Sequence, residues 1–253
     1  MSKHFPAYSR EQQLWFSATE GNLELVKTLA GDMSVDVNWR DPDWGRTSFY
    51  RACFYGHPEI VKYMLGNPRI DVTVTQNQGA TALNAAAQQD QWEVVDLLLG
   101  DPRVDVNQPT EGATPFFLAC ENGNMRTITL LLADPRIDVN LPKKNNCSPL
   151  WMVTQEGHLA VAQRILASER SVQTQIRAQL NDKTASQMGH SMATISKASF
   201  DSDETHRRKQ QFGPIIGDLI DQYEADPVAV RNTLRRLPHI RGISVRPSLE
   251  VHL

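Results

Sequence analysis

Gly112-Ala113-Thr114-Pro115-Phe116-Phe117-Leu118-Ala119-Cys120-Glu121-Asn122-Gly123 is the stretch that decides the fold. Thr114 carries a side-chain oxygen able to cap the free N–H groups that open a helix, and Pro115 suits the first helical position. Gly123 ends that helix by taking a left-handed backbone that other residues find costly. Working outward, the closing glycine recurs as Gly21, Gly56, Gly123 and Gly157, with Asp90 filling the slot between the second and third, at intervals of 35, 34, 33 and 34 residues. Asp visits the left-handed region more readily than most residues, so its helix end is expected to be weaker but tolerable. A second marker follows each slot in phase: Asp36-Val37-Asn38, Asp71-Val72-Thr73, Asp105-Val106-Asn107 and Asp138-Val139-Asn140. Self-similarity at this period predicts a solenoid whose units bury their apolar faces only against neighbours.

The other units follow the same script. They read Gly45-Arg46-Thr47-Ser48-Phe49-Tyr50-Arg51-Ala52-Cys53-Phe54-Tyr55-Gly56-His57, then Gly79-Ala80-Thr81-Ala82-Leu83-Asn84-Ala85-Ala86-Ala87-Gln88-Gln89-Asp90, and, more weakly, Asn146-Cys147-Ser148-Pro149-Leu150-Trp151-Met152-Val153-Thr154-Gln155-Glu156-Gly157-His158. Paired small residues (Ala52-Cys53, Ala86-Ala87, Ala119-Cys120) allow adjacent first helices to approach closely. A second apolar helix follows each slot, at 23–29, 60–65, 94–99, 125–132 and 159–166. These units resemble the ankyrin repeat, whose core signature is Gly-x-Thr-Pro-Leu-His-x-Ala-Ala-x-x-Gly-His. The resemblance implies an all-α ankyrin-repeat solenoid, with a helix-turn-helix and a β-hairpin-like loop in each repeat. Two departures stand out. The histidine slot holds Tyr50, Asn84, Phe117 and Trp151, so the family's histidine-to-threonine hydrogen bond is expected to be missing. The Asp-Pro-Arg connection is about two residues longer than the family's Gly-Ala-Asp-Val-Asn linker and is expected to leave stacking undisturbed.

Six segments follow: an N-terminal tail at 1–9, an N-terminal capping repeat at 10–40 and four ankyrin repeats at 41–174. A degenerate partial repeat (181–190) with a polar linker, or solvated helix start, at 191–211 occupies 175–211, an amphipathic helical hairpin 212–240, and a loose tail 241–253. In the hairpin, Ile215, Ile216, Leu219, Ile220 and Tyr223 form one apolar stripe, and Val228, Val230, Leu234 and Leu237 a second. It either caps the open edge of the last repeat or docks a partner, with Arg231, Arg235, Arg236 and Arg241 as a basic rim.

Composition narrows the function classes. Residues 1–205 carry 18 basic and 24 acidic side chains, whereas 206–253 carry 8 and 5. The repeats therefore lack the basic stripe of a duplex-DNA reader, and no nucleic-acid partner is expected. No apolar run approaches the ~18 residues needed to cross a membrane, and no leader-like segment opens the chain. Cys53, Cys120 and Cys147 do not make an even disulfide framework, and two occupy the same small buried slot. A reducing, cytoplasmic setting follows, with His206-Arg207-Arg208-Lys209 leaving nuclear import as the other reading.

No catalytic constellation, cofactor motif or metal site is expected. His57 and His158 follow the closing glycine, where ankyrin repeats place a structural histidine. His4, His190, His206, His239 and His252 are scattered without Cys or carboxylate partners at ligand spacing. There is no phosphate loop, dinucleotide turn or nucleophile elbow. Function falls instead to the variable slots. By the resemblance, partner contacts come from hairpin tips and the exposed ends of first helices, which line a concave groove. That selects Asp43, Trp44, Arg46, Phe54 and Tyr55 in the first full repeat; Asn77, Gln78, Gln88 and Gln89 in the second; Thr110, Glu111, Glu121 and Asn122 in the third; and Lys144, Asn145, Gln155 and Glu156 in the fourth. The N-terminal end is aromatic, with Trp39 joining Trp44, Phe54 and Tyr55, and with Arg40, Arg46 and Arg51 nearby. Aromatic and Arg side chains dominate binding hot spots. The expected function is a monomeric, non-catalytic adaptor that binds a protein partner. The alternative is a regulatory subunit or substrate receptor that docks a larger complex, such as a ubiquitin ligase, through 212–240. Asn107 and Asn140 sit in a context resembling that hydroxylated in animal ankyrin proteins.

Overall fold

The computed structural model describes residues 8–176, 178, 181–194 and 201–240. Most of the N-terminal tail, the tail at 241–253 with Arg241, and residues 195–200 of the polar linker lie outside these, as do His4 and His252. The described residues form thirteen α-helices and one short 3-10 turn (Met192–Thr194), with no β-strand among them. Two compact units result, Met1–Glu111 and Gly112–Leu253.

The first unit contains α1 (Arg10–Glu20), α2 (Leu23–Gly31), α3 (Ser48–Tyr55), α4 (Pro58–Leu65), α5 (Ala82–Gln88) and α6 (Trp92–Leu99). First helices pack side by side, α1 on α3 and α3 on α5, while α2, α4 and α6 form the second row. In the second unit α7 (Pro115–Asn122) packs on α9 (Pro149–Glu156), and α8 (Met125–Ala133) on α10 (Leu159–Ala167). Each first helix opens as the script predicts. Thr47, Thr81, Thr114 and Ser148 each accept the N–H three residues on, from Tyr50, Asn84, Phe117 and Trp151 respectively, at 3.1 Å. Asp90 takes φ 55° at the slot held elsewhere by glycine.

The repeats are stitched in three places. At the helix turn, His57 Nε2 donates to Thr19 O (2.9 Å), Gln91 Nε2 to Phe54 O (3.3 Å) and His158 Nε2 to Glu121 O (3.2 Å). Each acceptor stands two residues before the closing slot of the preceding repeat. The imidazole of His158 lies so close to Gly123 that a Cβ there would stand 2.6 Å from it, so that glycine serves packing as well as its φ of 71°. On the opposite side, Arg69 Nη1 donates to Ala30 O (3.2 Å) and Asp32 O (3.0 Å), and Arg103 Nη2 to Leu65 O (2.9 Å). Arg170 reaches Asp134, Pro135 and Ile137 carbonyls in the same way. These guanidiniums satisfy the orphan carbonyls at preceding helix ends. The lengthened connection thus also fastens adjacent repeats. The Asp-Val-Asn amides close the third contact: Asn38 donates to Arg69 O (2.8 Å) and accepts from Asp71 N (2.9 Å), and Asn140 does the same with Ser171 O (2.7 Å) and Gln173 N (2.8 Å).

One expectation fails at Asn84. Its Oδ1 accepts from both the N–H (2.9 Å) and the hydroxyl (2.8 Å) of Thr81, while its Nδ2 donates to Gln108 O (3.1 Å). The amide therefore does the work of the missing histidine in this repeat, because both side chains offer an acceptor and a donor at similar reach.

The C-terminal region also departs from expectation. Thr184 caps α11 (Ala185–Ser191) with a full capping box, so residues 181–191 repeat the tip-and-first-helix pattern. The next helix, α12 (Asp203–Ala225), begins nine residues earlier than the 212 boundary and runs through Pro214. α11 and α12 cross at glycines: a Cβ on Gly189 would lie 2.5 Å from Gly213 O and 2.8 Å from Gly217 N. α12 packs on α9, α10 and α13 (Pro227–Leu234), and α13 packs on α10. Ile216, Ile220 and Tyr223 are buried as the stripe predicts. Ile215 (47% exposed) and Val228 (64%) instead face solvent, because the covered arc is narrower than the apolar one.

Candidate protein-interaction surface

In the first unit, Arg51 of α3 projects back over α1. Its guanidinium lies between the rings of Trp15 (4.2 Å) and Tyr55 (4.5 Å). Nε donates to Thr19 Oγ1 (3.0 Å) and Nη2 to Tyr55 Oη (3.1 Å), leaving Arg51 only 8% exposed. Burial pulls its pKa below the ordinary arginine value. Trp15 is fixed from its other edge, where Nε1 donates to Arg46 O (3.1 Å).

The hairpin tip that carries Trp44 is held just as firmly. The Asp41 carboxylate accepts from the backbone N–H groups of Asp43 (3.2 Å), Trp44 (2.9 Å) and Arg46 (2.6 Å). Arg40 donates to Gly45 O and Thr75 O, and Asn77 N donates to Trp44 O (2.9 Å), tying this tip to the next. Trp44 nevertheless remains 48% exposed and Tyr55 43%, with Arg46 stacked 5.0 Å from the Trp44 ring centroid. Phe54 stacks on Tyr50 (centroids 6.4 Å, planes 22° apart) and meets Tyr55 edge-on. The result is an aromatic and arginine surface made of two pairs, Trp44 with Arg46 and Phe54 with Tyr55, linked through Trp15 and Arg51.

The remaining selected residues divide. Trp39 is half-buried and, among the described residues, its ring makes no aromatic or cation–π contact. Asp43, Asn77, Gln78, Gln88, Gln89 and Glu111 are exposed in the first unit, and Thr110 donates to Gln78 O. In the second unit Lys144 and Asn122 are exposed, Asn145 accepts from Cys147 N, and Glu121 stands 3.9 Å from Lys143. Glu156 differs from all of these. Its carboxylate pairs with Lys209 Nζ (3.2 Å), and its carbonyl accepts from Arg208 Nε (2.9 Å). Lys209 also pairs with Asp201 (3.1 Å), and its side chain is 7% exposed. Half of the basic cluster at 206–209 is therefore spent closing the last repeat. Gln155 is half-buried beside it.

Sequence reasoning left Trp15 out of the site. A signal existed: counting six residues back from each closing slot gives Trp15, Tyr50, Asn84, Phe117 and Trp151. It also kept His190 apart from carboxylates. The α11–α12 crossing brings His190 Nε2 within 3.1 Å of Asp218 and 3.6 Å of Asp221, with Ser186 donating to Asp221. These three side chains converge on a common point but all are exposed, the setting of a weak surface ion pair. Cys53, Cys120 and Cys147 are buried free thiols, their pKa values raised by burial, so they are poor nucleophiles. No described helix is long and apolar enough to cross a membrane.

Comparison with known proteins agrees with this architecture. The family profile for ankyrin repeats (3 copies) matches residues 14–110 and 102–177. A stretch of 71 residues is 38% identical to Ankyrin repeat and SAM domain-containing protein 6 of Rattus norvegicus, which covers 28% of this chain but only 8% of that protein. Among solved structures, that of EF0377, an ankyrin repeat protein, superposes with a TM-score of 0.65 at 18% identity, over 81% of this chain and 98% of the other.

Proposed function

Because the chain belongs to the ankyrin-repeat family, a family of protein-interaction modules, we propose that it is a non-catalytic adaptor that binds a protein partner through its hairpin tips and first-helix ends. The principal contact is the Trp44–Arg46–Phe54–Tyr55 surface, and the polar tip residues are its periphery. The observation that carries this reading is the exposure of Trp44 and Tyr55 on a framework in which the backbone of the Trp44 tip is held by Asp41 and the Tyr55 hydroxyl by Arg51. A soluble protein gains nothing in its own stability from presenting two large rings to water. A preorganised surface loses little entropy on binding, so a few such anchors suffice. Three buried free thiols suit a reducing compartment such as the cytoplasm, and we assign no reaction.

Affinity capture from a lysate tests this reading, comparing wild type with a Trp44→Ala, Tyr55→Ala double variant. Loss of one defined set of proteins supports it, and equal recovery of every protein sinks it. In the receptor alternative, α12 and α13 contact a second partner, for which Ile215 and Val228 are the large exposed apolar side chains on these two helices among the described residues. Capping is favoured, because Arg208 and Lys209 reach into the end of α9.

A further inference from the structure

Away from the aromatic surface, a group of metal-binding side chains gathers where α11 crosses α12. Asp218 and Asp221 stand three residues apart on α12, so both carboxylates leave the same face of that helix. His190 comes from α11 and brings Nε2 to 3.1 Å from Asp218 Oδ1 and 3.6 Å from Asp221 Oδ2. One ligand atom from each residue lies within 4.8 Å of the other two. Around a tetrahedral ion with bonds of about 2.0 Å, ligand atoms stand roughly 3.3 Å apart, so small side-chain rotations close the set.

Three features set this group apart from scattered surface acids. The imidazole is seated on backbone: a Cβ on Gly217 would lie 2.7 Å from its Cδ2 and 2.9 Å from its Nε2, so the ring fills a space that only glycine leaves. The Asp221 carboxylate is already oriented, because Ser186, 6% exposed, donates to its Oδ1 and leaves Oδ2 towards His190. Carboxylates that bind metals are themselves hydrogen-bonded in this way. Neither acid pairs with a lysine or arginine among the described residues, so two negative charges share one face with only His190 against them. An exposed histidine–carboxylate pair is weak, and a cation that takes its place displaces little.

We propose that His190, Asp218 and Asp221 bind a divalent transition-metal ion, zinc being the one this donor set suits best, with water in the remaining positions. The imidazole tautomer with its proton on Nδ1 offers Nε2, and the two carboxylates balance the charge of the ion. Calcium and magnesium take oxygen ligands and leave His190 without a role. The Asp218 and Asp221 side chains are 70% and 53% exposed, which gives the ion its entry and its waters. Once bound, the ion ties α11 to α12 and so fastens the helix that closes the last repeat. The site stands whether or not the aromatic surface binds a protein.

Calorimetric titration of zinc chloride into the intact, untagged, chelator-treated chain tests the site. One zinc should bind per chain, and calcium or magnesium should give no signal at the same concentration. His190→Gln and Asp218→Ala should each weaken zinc binding by about tenfold or more, and Ser186→Ala by about tenfold. His239→Gln, which alters another exposed histidine, should leave binding unchanged. Saturating zinc should raise the unfolding midpoint of the wild type by about 5 °C and leave that of His190→Gln where it was. Circular dichroism without zinc checks folding, and Asp218→Ala, at the most exposed of the three positions, carries the test if His190→Gln does not fold. Zinc binding that survives either change would put the ion elsewhere and overturn the site. Calcium binding as tight as that of zinc, or no saturable zinc binding, would overturn it as well.

Discussion

The end of α3 and the end of α9 occupy the same place in their repeats, and the molecule uses them in opposite ways. At the end of α3, Phe54 and Tyr55 form part of an open aromatic face beside Arg46 and Trp44. At the end of α9, α12 covers the slot: Arg208 caps the Glu156 carbonyl, Lys209 neutralises its carboxylate, and the Arg208 carbonyl stands 2.8 Å from where a Cβ on Gly157 would be. A variable slot therefore marks freedom to change, and what packs over it decides whether it binds a partner or ends the stack.

Substitution separates the two ends, beginning with the closed one. Lys209→Met should destabilise the second unit by about 3 kcal/mol, since it leaves Glu156 and Asp201 facing each other partly buried without a cation. Urea unfolding followed by circular dichroism measures this, and an unchanged midpoint would show that α12 is not a closing element. At the open end, Arg51→Ala should cost about 2 kcal/mol through lost ring stacking and hydrogen bonds. Trp44→Ala should leave stability within about 0.5 kcal/mol while weakening partner binding. If Trp44→Ala destabilised the fold as much as Arg51→Ala, Trp44 would be a brace and not a contact.

The stitch at His158 offers a pH test. Burial, with Arg208 and Lys209 nearby, pushes its pKa down to about 4, against an ordinary value near 6.5. The unfolded chain then binds a proton that the folded chain refuses. The His158 contribution is complete above pH 6.5 and is lost as pH falls from there towards 4. His158→Gln should flatten this part of the stability profile, since Gln91 already makes the equivalent bond in the first unit. An unchanged profile would place the proton elsewhere. The last test concerns Asn84: Asn84→His should be nearly neutral, whereas Asn84→Ala should cost about 1–2 kcal/mol by leaving the Gln108 carbonyl without its donor. Equal costs would mean that the amide is not a histidine substitute.

Much of the molecule could be read without coordinates. Caps, closing glycines and second helices follow from local rules, because the Thr or Ser at the third position of the Gly-x-Thr script meets the same backbone donors in every repeat. The exposed positions of Trp44 and Tyr55 followed from the same register. The Arg69, Arg103 and Arg170 fasteners were not, since their acceptors lie more than thirty residues back and carbonyls leave no trace in a sequence. The polar character of 191–211 argued for a boundary near 212. The burial of Lys209 between two acids and the glycine crossing with α11 instead carry the helix through.

The period and register of the repeats, and therefore which residues are variable, belong to the sequence alone, because each unit folds on contacts within itself and its immediate neighbours. Which variable residues stay open was settled only by tertiary packing. Arg51 could not be told from a surface arginine until Trp15 and Tyr55 closed on it, and Glu156 could not be told from a groove residue until Lys209 reached it. Both outcomes turn on desolvation, and a side chain loses its water only when distant segments arrive to displace it.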